Sequence, residues 1–229
     1  MTKSSNSVLL VAGGMGTRME STVPKQFLLL NGVPVLMHTI KRFYEFDPLL
    51  PVVIVLPESE ITRWEGLVGQ YSFMLPHRIV AGGNTRFQSV KNGLRKISDA
   101  GFVAIHDGVR PLCPPSLVTR CFAEAEKHTN AIPAVRVTDT VREFALGNNF
   151  VIDREKLRII QTPQCFDAAL IKKAYEISDG GNFTDDAGVF ENAGHKIHLV
   201  KGEKYNIKIT EQTDLLVAAA LEKQMFAGR

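Results

Sequence analysis

The sequence predicts an α/β protein built on a mostly parallel, mixed sheet with helices on both faces. Three observations carry that expectation. Short apolar or β-branched runs recur along the chain, and several, such as Val52–Leu56, are apolar on both faces, as buried parallel strands are. Segments with helical periodicity lie between them, the alternation that builds a sheet covered on both sides. A glycine-rich segment directly follows the first run, where open α/β sheets place their ligand loops.

Taken in order, residues 7–12, 52–56, 78–81, 103–106 and 132–137 read as strands. Leu36, Met37, Ile40, Phe43 and Tyr44 form one helical stripe. Leu117, Val118, Cys121, Phe122 and Ala125 form another, behind Pro114 and Pro115, which suit a helix start. Thr210 is placed to cap a last helix over about residues 211–224. Residues 138–153 (TDTVREFALGNNFVID) break the rhythm and read as two short strands around a Gly147-Asn148-Asn149 turn. Such a hairpin is either an ordinary sheet edge or an arm that pairs with its counterpart on another subunit. No internal repeat or low-complexity linker interrupts the pattern, and the expectation is one domain over residues 1–229 with an arm at about 138–158.

Composition narrows the class. With 45% hydrophobic and 22% charged residues, the 229-residue chain can bury a substantial core. Its net charge of +3 comes without any block of five or more Lys and Arg, which argues against a nucleic-acid partner and for small anionic ligands. The apolar stretch behind the polar start spans about five residues, too few for a signal-peptide core or a membrane span, so a cytoplasmic protein without membrane attachment is expected. Cys113, Cys121 and Cys165 are odd in number and lack CxxC spacing, which favours neither a cysteine zinc site nor a disulfide framework.

The segment VAGGMGTRMESTVPKQF, residues 11–27, fits neither common phosphate loop. A Walker A loop needs Gly-Lys-Ser/Thr, and here Lys25 follows Pro24; a dinucleotide fingerprint needs a third glycine near Met19. Taken whole, GGMGTRM followed by PKQF resembles the signature of nucleotidyltransferases that activate sugars or polyols, in which the loop wraps a nucleoside triphosphate. Its backbone N–H groups then point at phosphate oxygens, and Arg18 and Lys25 add the charge that dipoles lack.

Further motifs narrow the resemblance. They are Ala81-Gly82-Gly83-Asn84-Thr85-Arg86 leading into Ser89, His106-Asp107-Gly108-Val109-Arg110-Pro111, Thr138-Asp139-Thr140, Asp153-Arg154, Gln161-Thr162-Pro163-Gln164, Thr184-Asp185-Asp186 and Asn206-Ile207-Lys208-Ile209-Thr210. In this order, from Val8 to about Leu221, the chain resembles the 2-C-methyl-D-erythritol 4-phosphate cytidylyltransferase family of the non-mevalonate isoprenoid pathway. Two positions depart from the family's usual pattern. Gly108-Val109 stand where two alanines are common, and Val11-Ala12-Gly13-Gly14 where Pro-Ala-Ala-Gly is. A loop reading Ala-Gly-Gly is shared with ribitol-5-phosphate cytidylyltransferases, which remain the alternative, with a non-catalytic nucleotide-binding module as a third reading.

The resemblance implies a Rossmann-like nucleotidyltransferase fold and attack of a polyol phosphate on the α-phosphorus of CTP, with pyrophosphate leaving in line. Catalysis is then positioning and charge neutralisation. By resemblance, Arg18, Lys25 and Lys208 are the catalytic cations, Lys208 on an apparent strand over residues 206–210. Ala12, Gly13, Gly14, Gly16, Gly83, Asn84 and Ser89 hold CTP. Arg110, Thr138, Thr140, Arg154, Thr162 and Thr184 hold the acceptor. Asp107, a carboxylate ending an apolar strand, is the Mg²⁺ candidate, and His106 reads as structural. The resemblance further implies a homodimer in which Thr138 or Thr140 and Arg154 enter the neighbouring subunit's site.

Overall fold

The computed structural model describes residues 5–14, 23–145, 147–180 and 183–226. In chain order the elements are β1 (Ser7–Val11), β2 (Leu29–Leu30), β3 (Val33–Pro34), α1 (Val35–Phe46), β4 (Val52–Leu56), α2 (Ile61–Gln70), β5 (Arg78–Ala81), α3 (Arg86–Leu94), β6 (Phe102–Asp107) and α4 (Pro115–His128). They continue with β7 (Asn130–Arg136), β8 (Val141–Ala145), β9 (Asn148–Ile152), β10 (Arg158–Ile160), β11 (Gln164–Asp167), α5 (Ala168–Ile177), α6 (Asp186–Asn192), β12 (Leu199–Lys201) and α7 (Gln212–Phe226).

The main sheet runs β10-β7-β11-β6-β1-β4-β5, with β12 beside β7. β1 pairs in parallel with both β4 and β6, and β5 extends the parallel set beyond β4. β11 is antiparallel to β6 and β7, and β10 to β7, so the sheet is mixed but mostly parallel. Alternation along the strands sorts two cores. Val8, Leu10, Ile54 and Leu56 face α1, α2 and α4 through Met37, Trp64 and Phe122, whereas Leu9, Val53 and Val55 face α3, α5 and α6 through Val90, Ile171 and Phe190. Each such buried aliphatic contributes about 1.5–3 kcal/mol. A third cluster, with Leu30, Val35, Leu112, Ile209 and Ala218, seats α7 and the β2–β3 hairpin over the loop after β6.

The chain leaves β1 for β4 and β5 on one side and returns to β6 on the other, which makes the carboxyl ends of β1 and β6 the topological switch point. Register aligns those ends, with Val11 opposite both Val55 and Asp107. Each loop keeps one more ladder bond before it departs: Ala12 N–H to Val55 O at 2.9 Å, Gly108 N–H to Val11 O at 2.9 Å, and Gly82 N–H to Leu56 O at 2.7 Å.

Two expectations need correction. Residues 206–210 are not a strand: they cross the strand ends as irregular extended chain, with Asn206 held by side-chain bonds and Ile209 N–H on Val109 O at 2.9 Å. Thr210 is not the cap of α7. The Asp214 carboxylate instead accepts from the Thr210 N–H, the Thr210 hydroxyl and the Glu211 N–H, reaching back from the first turn. The hairpin of residues 138–153 is present as β8 and β9, a two-stranded sheet of its own turning at Gly147 with φ +79°.

Two glycines test the packing. A Cβ on Gly93 of α3 would sit 2.4 Å from a Leu9 methyl and 2.8 Å from a Val55 methyl, so Gly93→Ala is expected to destabilise by about 1–3 kcal/mol. A Cβ on Gly66 of α2 meets nothing within 4 Å, so Gly66→Ala should gain about 0.5–1 kcal/mol of helix propensity. Urea unfolding of both variants checks the contrast, and equal effects would count against this packing of α3.

Candidate active site

A cleft opens at the switch point. Its walls bring together Ala12, Gly13 and Gly14 after β1, Lys25 and Gln26 before the β2–β3 hairpin, and Gly83 to Arg86 with Ser89 after β5. Asp107 and Val109 after β6 and Lys208 before α7 complete it. Of the residues singled out in sequence, Ala12, Gly13, Gly14, Lys25, Gly83, Asn84, Ser89, Asp107 and Lys208 line this one cleft. Gly16 and Arg18 lie outside the described residues.

The glycine turns are narrow for a reason. Ser89 Oγ accepts from the Gly83 N–H at 3.1 Å, and a Cβ on Gly82 would stand 2.9 Å from that same oxygen. Thr85 caps α3 by accepting from the Gln88 N–H at 3.1 Å, while Gln88 Oε1 accepts from the Asn84 N–H at 2.9 Å. Across the cleft, Gln26 donates to Ala12 O at 2.8 Å and fixes the start of the opening loop. A Cβ on Gly108 would stand 2.9 Å from the Ala12 Cβ and 3.3 Å from the Val11 carbonyl oxygen, so the glycine at 108 packs directly against the opening loop.

Asp107 is the electrostatic centre. Its Oδ2 accepts from Arg110 Nε at 3.0 Å and faces Lys208 Nζ at 3.2 Å. Burial pushes the Asp107 carboxyl up, but Lys208, Arg110 and Arg86 outweigh it and hold the group well below the usual carboxylate range. Arg110, expected at the acceptor phosphate, is itself buried, with Nη1 donating to the Asn206 carbonyl at 2.8 Å. One guanidinium thus joins Asp107 to the backbone of the segment that carries Lys208.

Thr162, also expected at the acceptor, lies beneath the same carboxylate. Its Oγ1 accepts from the Asp107 N–H at 3.1 Å and meets His106 Nδ1 at 3.0 Å. His106 Nε2 faces the Arg110 carbonyl at 3.2 Å, an acceptor only, so Nε2 carries the proton and Nδ1 accepts from Thr162. Full burial pushes the His106 ring down to about 4, which keeps it neutral and structural.

The two glutamines of Gln161-Thr162-Pro163-Gln164 act as clamps. Gln161 exchanges hydrogen bonds with the backbone of Glu203, which steers the chain toward Asn206 and Lys208. Gln164 binds Asp185 and the Ala187 N–H, holding the start of α6. Thr184, just before it, is exposed and outside the cleft lining. Thr138, Thr140 and Arg154 are exposed on or beside the arm, away from the lining, with Arg154 Nη1 donating to the Thr138 carbonyl at 2.7 Å.

Arg86 was missed as a site residue although its motif was plain. It lines the cleft, and the fully buried Asp186 grips it through 2.9 and 2.6 Å bonds while accepting a third from the Tyr175 hydroxyl at 2.6 Å. Nothing in the spacing of Arg86 and Asp186, a hundred residues apart, announces the pair.

The family model for 2-C-methyl-D-erythritol 4-phosphate cytidylyltransferase matches residues 7–224. The chain belongs to that family. It is 46% identical over 217 residues to the 2-C-methyl-D-erythritol 4-phosphate cytidylyltransferase of Azobacteroides pseudotrichonymphae, covering 93% of this chain and 97% of that one. Its identity to the Bacteroides fragilis enzyme of the same name is 45% over 215 residues, covering 94% and 98%. Among solved structures, family member 4-diphosphocytidyl-2C-methyl-D-erythritol synthase from Anaerococcus prevotii superposes with a TM-score of 0.80 at 29% identity, covering 95% of this chain and 98% of that one. The bifunctional IspDF of Campylobacter jejuni gives 0.79 at 32% identity, covering 93% of this chain but 54% of that longer one. Of the two enzyme readings left open in sequence, the match falls on the methylerythritol phosphate side, and the nucleotidyltransferase-like α/β fold agrees with these family structures.

The neutral His106 sets a pH dependence. Its pKa is about 4 when folded against an ordinary 6.5, so between those values the unfolded chain binds more protons. Its contribution is fully present above pH 6.5 and is lost as pH falls toward 4, by up to about 3 kcal/mol. Urea unfolding at pH 7 and 4.5 should show this loss, and His106→Gln should flatten it; an unchanged slope in the variant would contradict the assignment.

Proposed function

We propose that this chain transfers a cytidylyl group from CTP to 2-C-methyl-D-erythritol 4-phosphate, releasing pyrophosphate. The single observation that supports it most is the cleft itself, where five segments distant in sequence meet around Gly13-Gly14, Lys25, the Gly83–Ser89 turn, Asp107 and Lys208. The Gly13-Gly14 turn offers backbone N–H groups to phosphates, and the two lysines answer the charge that builds on the α-phosphate and the leaving group. Arg18 and Gly16 extend this set by resemblance. The attacking group is already a phosphate anion, so no general base is required, in keeping with a neutral His106 occupied on both nitrogens.

Asp107 suits Mg²⁺. Its carboxyl stays ionised, and Oδ2 takes both protein cations, while Oδ1 has no hydrogen-bond partner among the described residues. Magnesium takes one or two carboxylates plus substrate phosphates, and when bound it offsets phosphate charge. Arg110 and Thr162 hold the Asp107 side chain and backbone in place for that task.

The homodimer belongs to the same proposal. The arm and its base leave Phe144, Phe150, Val151 and Ile159 exposed, surface that a second subunit would cover. No helix among the described residues is long and apolar enough to cross a membrane; a cytoplasmic location, and the absence of a nucleic-acid partner, stay part of this reading.

The test is Mg²⁺-dependent pyrophosphate release from CTP with 2-C-methyl-D-erythritol 4-phosphate or D-ribitol 5-phosphate as acceptor. Release with the first alone is expected, and release with ribitol phosphate alone would move the chain's activity to the alternative. Lys25→Ala is expected to lower kcat by roughly 10²–10³ with little change in CTP affinity; an unchanged kcat removes its catalytic role. For the shared site, equal amounts of Lys25→Ala and Arg154→Ala subunits, dissociated and remixed, should recover about a quarter of native sites. No recovery would place each site within one chain.

A further inference from the structure

Outside the cleft, α4 ends beside the segment that leads into β12, and three side chains converge there. Glu124 and His128 stand four residues apart on one face of α4. His198 approaches from the other segment. Glu124 Oε2 lies 3.6 Å from His128 Nε2 and 3.5 Å from His198 Nε2, and the donor atoms of all three fall within 4.8 Å of one another. The imidazole rings are stacked, 3.7 Å between centroids and 17° from parallel, with both Nε2 atoms turned toward the same oxygen.

The two nitrogen–oxygen spacings are longer than hydrogen bonds and close to those of a metal's coordination shell. These partly exposed side chains complete that shell when the near-parallel rings rotate so that both in-plane lone pairs converge. Around a tetrahedral ion with ligands at about 2.0–2.1 Å, neighbouring ligand atoms stand about 3.3 Å apart. We propose that Glu124, His128 and His198 form a binding site for a first-row divalent transition-metal ion of the Zn²⁺ class, separate from the nucleotide cleft. Two imidazoles and one carboxylate select such ions over Mg²⁺, which prefers oxygen ligands. Solvent completes the shell, since the three side chains are only partly covered.

The backbones that carry the two histidines are held in place before any ion arrives. Fully buried Asn130 donates to the His128 and Lys196 carbonyls at 3.3 and 2.9 Å and accepts from the His198 N–H at 2.9 Å, so one amide holds both histidine backbones. The His198 carbonyl in turn accepts from the Ile132 N–H at 2.9 Å. Lys127 Nζ engages the other Glu124 oxygen at 2.8 Å, leaving Oε2 directed at the rings. A bound ion would clip α4 to the segment whose continuation carries Lys208.

The experiment is a Co²⁺ titration of tag-free protein stripped with chelator, without CTP, followed by Zn²⁺ competition. One Co²⁺ per chain is expected, with visible bands of a nitrogen- and oxygen-ligated ion and displacement by Zn²⁺. His198→Ala and His198→Gln should each weaken binding at least about tenfold, and the metal should raise the Tm of the wild type but not of these variants. Asp107→Asn should retain the Co²⁺ site. Equal binding by wild type and both His198 variants, no binding by wild type, or thiolate charge-transfer bands locating the ion at the cysteines would each overturn the proposal.

Discussion

The site depends on one buried carboxylate. Asp107 sits at the last position of β6, where strand register delivers it to the mouth of the sheet whatever the surrounding loops do. A charge so placed costs several kcal/mol in desolvation unless it is matched. The matching cations come from separate parts of the chain: Arg110 from the next turn, Lys208 from the segment before α7, and Arg86 from the start of α3. Pairing the charge therefore also assembles the cleft, because satisfying Asp107 requires those loops to converge.

The supporting groups work by the same rule of satisfied polar atoms. Gln161 fixes the approach of residues 203–206, Gln164 fixes the start of α6, and Asp186 at that start holds Arg86. Residues 203–206 and the start of α6 are thus tied in place largely through side-chain amides and carboxylates. The glycine turn after β5 follows the same rule, with Ser89 and Gln88 accepting from the Gly83 and Asn84 N–H groups.

Much of this was legible in sequence, and the limits have physical causes. Strands apolar on both faces announced the parallel core, and β4 and β5 fall at the expected residues because burial on two faces leaves little room to shift. The Asn31-Gly32 turn, with both residues at positive φ, was an available hairpin signal that went unread because β2 and β3 have two residues each. Residues 206–210 alternate like a strand, but the Gln161 side chain and the Thr162 carbonyl, far off in sequence, hold Asn206 and set their path. The same holds for Arg110: its motif pointed to a phosphate, and only the fold reveals Asp107 and the Asn206 carbonyl in reach. Local periodicity reports elements, whereas the partners of buried charges are tertiary facts.

The most direct test of the central claim replaces the charge and keeps the shape. Asp107→Asn should remain folded and still bind CTP, yet lose pyrophosphate release by at least about 10²-fold and no longer respond to Mg²⁺. A variant that turns over at the wild-type rate with the same Mg²⁺ dependence would show that the ionised carboxylate is not what organises this site.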